Sequence, residues 1–213
     1  MAMTSISIIG RGKMGSAIAE IAARAGARIQ IVTRGSASAQ DRPSARTRQD
    51  AEYAVLGDEL TGDLVVLAVP YGAYPNILKH YRDRLAGKVL VDISNPIDFT
   101  TYEQPQELQG TSTALELARQ LPQGVAVLKA FNVNLADTLK TRTNGTTATT
   151  VLMAGDDAEG KIALTDMLKA AGLRAIDAGP LQRSRQLEAI GFLQIVLASS
   201  GKTRFESGFT LLA

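Results

Sequence analysis

The residues best placed to do chemistry are glycines. Gly10-Arg11-Gly12-Lys13-Met14-Gly15 follows the β-branched run Ser5-Ile6-Ser7-Ile8-Ile9 and precedes Ser16-Ala17-Ile18-Ala19-Glu20-Ile21. Strand, G-x-G-x-x-G turn and helix in that order can cradle a dinucleotide. Gly10 lets the chain turn sharply, Gly12 leaves room for a pyrophosphate, and Gly15 lets helix and strand approach closely. The helix adds free N–H groups and its positive dipole end. The spacing also occurs in glycine-rich turns that bind nothing, so its context must carry the reading.

That context begins at Thr33-Arg34-Gly35-Ser36, just past the β-branched segment 28–32. A fold binding NAD places Asp or Glu there, about 20 residues beyond the glycines, to hold the ribose hydroxyls. Here a hydroxyl and a guanidinium stand instead. Arg34 is suited to a 2′-phosphate through charge-assisted bonds, with Thr33 and Ser36 as short donors, although a solvated loop arginine would look the same in sequence. The expected dinucleotide is therefore NADP(H).

The remaining elements place further candidates at strand ends. Residues 37–50 read as a short helix or irregular connection, and 53–56 as a short third strand. Segment 64–70 is apolar throughout, as a strand buried on both faces should be, and Pro70-Tyr71-Gly72 leaves its carboxyl end, where parallel sheets hold ligands. A helix over 74–85 follows, then a strand over 88–93 ending at Ser94-Asn95-Pro96, a loop over 97–112 and a helix over 112–121. Strand 124–129 ends at Ala130-Phe131-Asn132. Asn144-Gly145 marks a turn before strand 147–153, Asp156 or Asp157 caps helix 158–171, and 173–177 is a last strand. A long helix over 184–200 is apolar around much of its girth, which suits burial in the domain or against a partner. Alternating strands and helices predict an α/β, Rossmann-type, doubly wound, mostly parallel sheet with a C-terminal helical segment. The expected division is 1–180 as the NADP-binding domain and 181–213 as a helical segment packing on it and on a dimer partner.

Composition narrows the partners. The chain has 213 residues, 23 Lys plus Arg against 21 Asp plus Glu, one histidine and no cysteine. Near-neutral charge gives no footing for nucleic acid or an anionic membrane. The absence of cysteine excludes disulfides and thiolate metal sites, so no metal site is expected. Neither a leader-like apolar stretch nor a run of ~20 apolar residues is present, and the expected location is the cytoplasm. Gly201-Lys202-Thr203 lacks the upstream glycine of a phosphate-binding P-loop, since Val196 occupies that position. His80 falls on a helix surface. Lys129, at a strand end, is either a general acid or a solvated or cofactor-facing lysine. No acid–base machinery stands out, which suits hydride transfer between two redox cofactors.

With these motifs in hand, the chain resembles the NADPH-dependent reductases of the deazaflavin coenzyme F420, a family related to the reductase domain of six-transmembrane metalloreductases. The resemblance rests on the glycine turn, Thr33-Arg34, Ala68-Val69-Pro70, Ser94-Asn95-Pro96, Gly155-Asp156-Asp157 and Asp177-Ala178-Gly179-Pro180-Leu181. It implies NADP(H) on Gly10, Arg11, Gly12, Lys13 and Met14, its 2′-phosphate on Thr33 and Arg34, and the nicotinamide flanked by Val69-Pro70 and Asn95-Pro96. It also implies a second cofactor near Ala130-Phe131-Asn132 and the start of the last helix, and a homodimer through the C-terminal region. Two features depart from the family: no further basic residue follows Arg34, and Ala130-Phe131-Asn132-Val133 replaces a His-Thr-x-Pro stretch. The second substrate is thus left open among coenzyme F420, FMN and FAD. The alternatives are an NADPH-dependent reductase of a small imine or carbonyl compound, with Lys129, Tyr71 and Asn132 as candidate proton donors, or a non-enzymatic NADPH sensor.

Overall fold

The central strands place apolar side chains on both of their faces, which need cover on both sides, and here they receive it. In the computed structural model, which describes residues 4–35, 51–98, 100–209 and 211, Ile6, Ile8, Val66, Val91 and Leu128 face one buried layer. Ile9, Val65, Leu67, Leu90 and Val127 face the other. The central strands are β1 (Ser5–Ile9), β4 (Leu64–Leu67), β5 (Val89–Asp92) and β6 (Ala126–Ala130). On one side of β1 lie β2 (Arg28–Thr33) and then β3 (Ala51–Val55). Beyond β6 lie β9 (Thr150–Gly155) and β10 (Arg174–Asp177), and a small hairpin joins β7 (Thr143–Asn144) to β8 (Thr147–Ala148). The eight-stranded order is β10-β9-β6-β5-β4-β1-β2-β3, parallel at every step except β6–β9. This is the expected Rossmann-type sheet, and its strand order reverses beside β1, where such folds bind ligands.

Helices α1 (Lys13–Arg24) and α5 (Ala158–Ala170) cover the first layer. Helices α2 (Tyr74–Tyr81) and α3 (Thr113–Gln120) cover the second. Asp157 caps α5, its side chain accepting from the Gly160 N–H, and Ser112 caps α3 by accepting from the Leu115 N–H. The helix expected over 74–85 tightens into a 3₁₀ turn at Arg82–Arg84. The strand expected over 147–153 is divided between β8 and β9, and helix α4 (Ala136–Thr141) stands where no element was expected. Residues 37–50, read as helix or connection, lie outside the described residues.

The last helix, α6 (Ser184–Ser199), packs inside out. Its buried residues are Ser184, Leu187, Glu188, Gly191, Gln194 and Ala198, mostly polar or small, whereas Leu193 is 50% exposed. The reason lies beneath it. Lys129, at the end of β6, is fully buried rather than solvated or turned toward the cleft. Its Nζ contacts Asp92 Oδ2 at 2.9 Å, Glu188 Oε1 at 2.7 Å, the Ser94 carbonyl at 2.6 Å and Thr113 Oγ1 at 2.8 Å. One ammonium thus ties β5, β6, α3 and α6 together. Burial pushes the Asp92 carboxyl up, but Lys129 and the bonds from Thr113 and Tyr74 outweigh it and hold the group below its ordinary value.

Removing one partner of such a buried pair leaves uncompensated charge. Lys129→Met should therefore cost about 3–5 kcal/mol in urea unfolding at neutral pH. Without the cation, both carboxyls must bind protons in the folded state, so the loss should shrink as pH falls toward ~5. A pH-independent loss in that range would show that the carboxylates escape to solvent.

Candidate functional site

The glycine turn divides into structural and open positions. Gly10 has φ +106°, donates its N–H to the Val32 carbonyl at 2.9 Å, and would place a Cβ 2.3 Å from the Ala68 carbonyl oxygen. A Cβ on Gly15 would meet the Gly10 carbonyl oxygen at 2.2 Å. These two fix the turn against β4 and admit no side chain. A Cβ on Gly12 would meet nothing within 4 Å, because that position faces the cleft. Gly12 is also the N-cap of α1, and no side chain caps the helix or places an acid in its first turn. The exposed N–H groups and dipole end are left for an anion.

Two cavities meet at this turn. The first, about 810 Å³, lies over the carboxyl ends of β1, β2 and β4, walled by Gly12, Thr33, Arg34 and Val69. Arg34 is exposed and Thr33 is buried. The Thr33 hydroxyl donates to the Gly35 carbonyl at 2.7 Å, so it shapes the turn carrying Arg34 instead of offering its proton to a ligand. Ser36 lies outside the described residues. The second cavity, about 760 Å³, shares Gly12, Ala68, Val69, Pro70 and Gly72 with the first, and adds Lys13, Met14, Tyr71, Asn95 and Pro96. Tyr71 stacks edge-on against Tyr74 at 5.3 Å, and burial followed by the charge of Glu116 keeps its phenol protonated above the ordinary value.

The end of β6 builds the far wall. Phe131 adopts φ +62°, a costly left-handed conformation for an aromatic residue, and is fully buried while lining the second cavity. That turn aims two asparagines. Asn132 Nδ2 donates to Asn95 Oδ1 at 2.9 Å and to the Leu187 carbonyl at 2.8 Å, and Asn95 Nδ2 donates to the Asn132 carbonyl at 2.6 Å. Asn134 Nδ2 donates to the Thr150 carbonyl at 2.9 Å. Both amides are therefore oriented with their carbonyl oxygens left over. Asn132 Oδ1 and Asn134 Oδ1 are buried without a hydrogen-bond partner among the described residues, and both residues line the cavity. Ala130, expected beside them, is instead packed in the core: its side chain belongs to the last turn of β6, on the sheet's α1 face.

A third cavity, about 730 Å³, opens on the other side of Asn95-Pro96-Ile97, between that segment and α6. Arg185, Glu188 and Phe192 wall it from the helix, and Thr111 from the preceding loop. Glu188 was not singled out by its sequence context, although it is the one carboxylate in α6, set among Leu187, Ile190 and Leu193. Among the described residues no cluster of His, Asp or Glu is arranged to hold a metal ion, and no helix is long and apolar enough to cross a membrane. His80 lies exposed on α2.

Comparison with known proteins follows the same outline. Residues 5–96, which carry the glycine turn, Arg34 and Asn95-Pro96, match the family described as NADP oxidoreductase, coenzyme F420-dependent. An F420-dependent NADP reductase of Methanocaldococcus jannaschii is 29% identical over 67% of this chain and 65% of its own length. Metalloreductase STEAP3 of Rattus norvegicus is 36% identical over 59% of this chain and 24% of its own. The chain thus spans under two thirds of either relative. The crystal structure of a putative F420-dependent NADP reductase from Arthrobacter sp. FB24 superposes with a TM-score of 0.81 at 25% identity, covering 98% of this chain and 99% of that one. The chain is thus similar to coenzyme F420-dependent NADP oxidoreductases, in sequence over residues 5–96 and in fold over nearly its whole length.

Proposed function

We propose that this chain is an oxidoreductase that moves a hydride between NADP(H) and a deazaflavin or flavin, with coenzyme F420 as the first choice and FMN or FAD as the others. The observation that carries the reading is that the second and third cavities share Asn95, Pro96 and Ile97 as lining residues. Rings seated in the two cavities would meet at that shared edge, since hydride transfer requires the donor and acceptor atoms in near contact with no side chain between them.

The residues present fit an NADP molecule along the first two cavities. The uncapped start of α1 and the open face of Gly12 suit the pyrophosphate, and Arg11 and Lys13 stand beside it. Arg34 would hold the 2′-phosphate, with no carboxylate nearby in the turn to repel it. Asn132 Oδ1 and Asn134 Oδ1 would accept from the carboxamide N–H groups of the nicotinamide, which removes the cost of burying two unpaired carbonyls. Val69, Pro70 and Pro96 supply apolar walls that exclude water from the ring. When bound, NADPH supplies the hydride, and the chain supplies alignment. The second substrate would occupy the third cavity, where Arg185 offers a cation and Phe192 an apolar face.

Residues 181–213 serve in this reading as the wall of the acceptor seat and not as an independent unit. The inside-out packing of α6 leaves Leu193 half-exposed beside Phe209 and Leu211, which are 46% and 52% exposed, around an apolar groove of about 270 Å³. We assign that face to a second copy of the chain in a homodimer. A chain without cysteine suits the reducing cytoplasm.

The direct test is a spectrophotometric panel of NADPH and NADH against coenzyme F420, FMN and FAD. Bleaching of at least one acceptor by NADPH is expected; tight NADPH binding with no turnover on any acceptor would leave a sensor instead. Arg34→Ala should weaken NADPH by about 1.5–3 kcal/mol, the value of a lost charged hydrogen bond, and NADH far less. Equal losses for both cofactors in titration would remove Arg34 from the 2′-phosphate. Gly12→Ala should unfold at the wild-type urea midpoint, since its methyl meets nothing, yet bind both cofactors more weakly. Unchanged affinity would take the pyrophosphate away from this turn.

A further inference from the structure

Glu188 is 4% exposed, and its two oxygens are not equivalent. Oε1 is crowded: it accepts from Lys129 Nζ at 2.7 Å and the Thr113 N–H at 3.0 Å, and lies 2.6 Å from Thr113 Oγ1, whose one proton it shares with Asp92 Oδ2. Oε2 is buried with no hydrogen-bond partner among the described residues, and Glu188 is part of the wall of the third cavity. A second buried oxygen without a partner, Thr111 Oγ1, belongs to the same cavity wall. A buried carboxyl oxygen left without a partner is costly, and a molecule seated in that cavity could supply the donor or acceptor that Oε2 lacks.

The charge count points the same way. Around Glu188 stand Lys129 from β6, Asp92 from β5 with Tyr74 of α2 bonded to its other oxygen at 2.5 Å, the uncharged Thr113 from α3, Arg185 on α6 itself and Glu103 across the cavity. One buried ammonium faces two buried carboxyls, so a second ionised carboxyl would leave the cluster with uncompensated negative charge. Burial, and then the charge of Asp92, raise the Glu188 carboxyl above its ordinary value despite the opposing pull of Lys129, whereas Asp92 is lowered. Of the two carboxyls Glu188 therefore takes up a proton more readily, and Oε2 is its oxygen without a partner among the described residues.

We propose that Glu188 exchanges a proton with the hydride acceptor in the third cavity. The inference rests on the function proposed above. NADPH gives up a hydride from its nicotinamide carbon to C5 of the deazaflavin, or to N5 of a flavin, and the Oε2–H bond breaks as another ring nitrogen of that acceptor takes the proton. The products are NADP⁺, the two-electron-reduced acceptor and a Glu188 carboxylate facing Lys129, which solvent reprotonates. In the reverse direction Glu188 takes the proton back. Such positioned proton transfer contributes typically 10²–10⁴-fold.

The test uses the full chain and Glu188→Gln, which keeps the side-chain size and an oxygen for Lys129 but cannot release a proton. With whichever of coenzyme F420, FMN or FAD the wild type reduces, kcat should fall about a hundredfold or more, while NADPH affinity by fluorescence titration stays the same. Wild type should show a solvent deuterium isotope effect on kcat that the variant lacks. Stability gives a readout apart from turnover. A raised carboxyl contributes stability below its unfolded pKa and loses it as pH rises through its folded one, so wild type should lose that increment and Glu188→Gln should not. Should the variant fail to fold, infrared spectra of wild type should still show a protonated-carboxyl band that disappears as pH rises. Wild-type kcat and isotope effect in Glu188→Gln, or absence of that band, would overturn the proposal while leaving the proposed function standing. A wild type that reduces no acceptor would overturn both.

Discussion

The buried ammonium of Lys129 is the constraint on which the rest depends. A fully enclosed cation must find acceptors, and a lysine at the end of β6 finds them on three other elements: Asp92 on β5, Thr113 on α3 and Glu188 on α6. Such a cluster is weak evidence for stability, because desolvation offsets much of the attraction. It is stronger evidence for geometry. Only one placement of α6 lets Glu188 reach Lys129, and that placement turns the polar side of the helix inward.

Gly191 completes the docking. A Cβ there would lie 2.6 Å from both the Asn132 carbonyl oxygen and Asn95 Oδ1, so the absence of a side chain lets α6 rest directly on the asparagine pair. Asn95 and Asn132 are bonded to each other and, through Asn132 Nδ2, to the Leu187 carbonyl one turn earlier. The helix, the ends of β5 and β6 and the partition between two cavities thus form one hydrogen-bonded unit. A shift of α6 would disturb both sides of that partition together.

What was legible in the sequence was local. Gly10 to Gly15 could be read because the turn is made by backbone, within a few residues, and Arg34 because it follows the glycines along a single β-α-β unit. The run 64–67 was legible because burial on both faces leaves it no polar alternation. Lys129 was not, since a window around it shows only a lysine at a strand end, while its partners lie 37 residues before and 59 residues after it. Glu188 was hidden for the same reason: in a helix scanned for apolar residues, the single carboxylate looks like a solvent position until its counter-charge is placed. Helix α4 was missed because six residues carry little pattern; Leu139 buries it, and Thr149 Oγ1 donating to the Thr138 carbonyl ties it to the strand that follows.

The two halves of the site therefore rest on different physics. The proposed dinucleotide half is a matter of backbone: a turn that excludes side chains at Gly10 and Gly15, a helix start without a side-chain cap, and one cation at Arg34. Nearly any sequence that preserves those few positions preserves it. The proposed acceptor half is built from side chains drawn from β5, β6, α3 and α6, held by a charge cluster that tolerates no single substitution freely. Residues outside that cluster, such as Arg185 and Phe192, line the same cavity without being tied into it. Under the proposed function, the freedom to change which molecule occupies that cavity lies with them, whereas the polar cluster behind them sets where α6 stands.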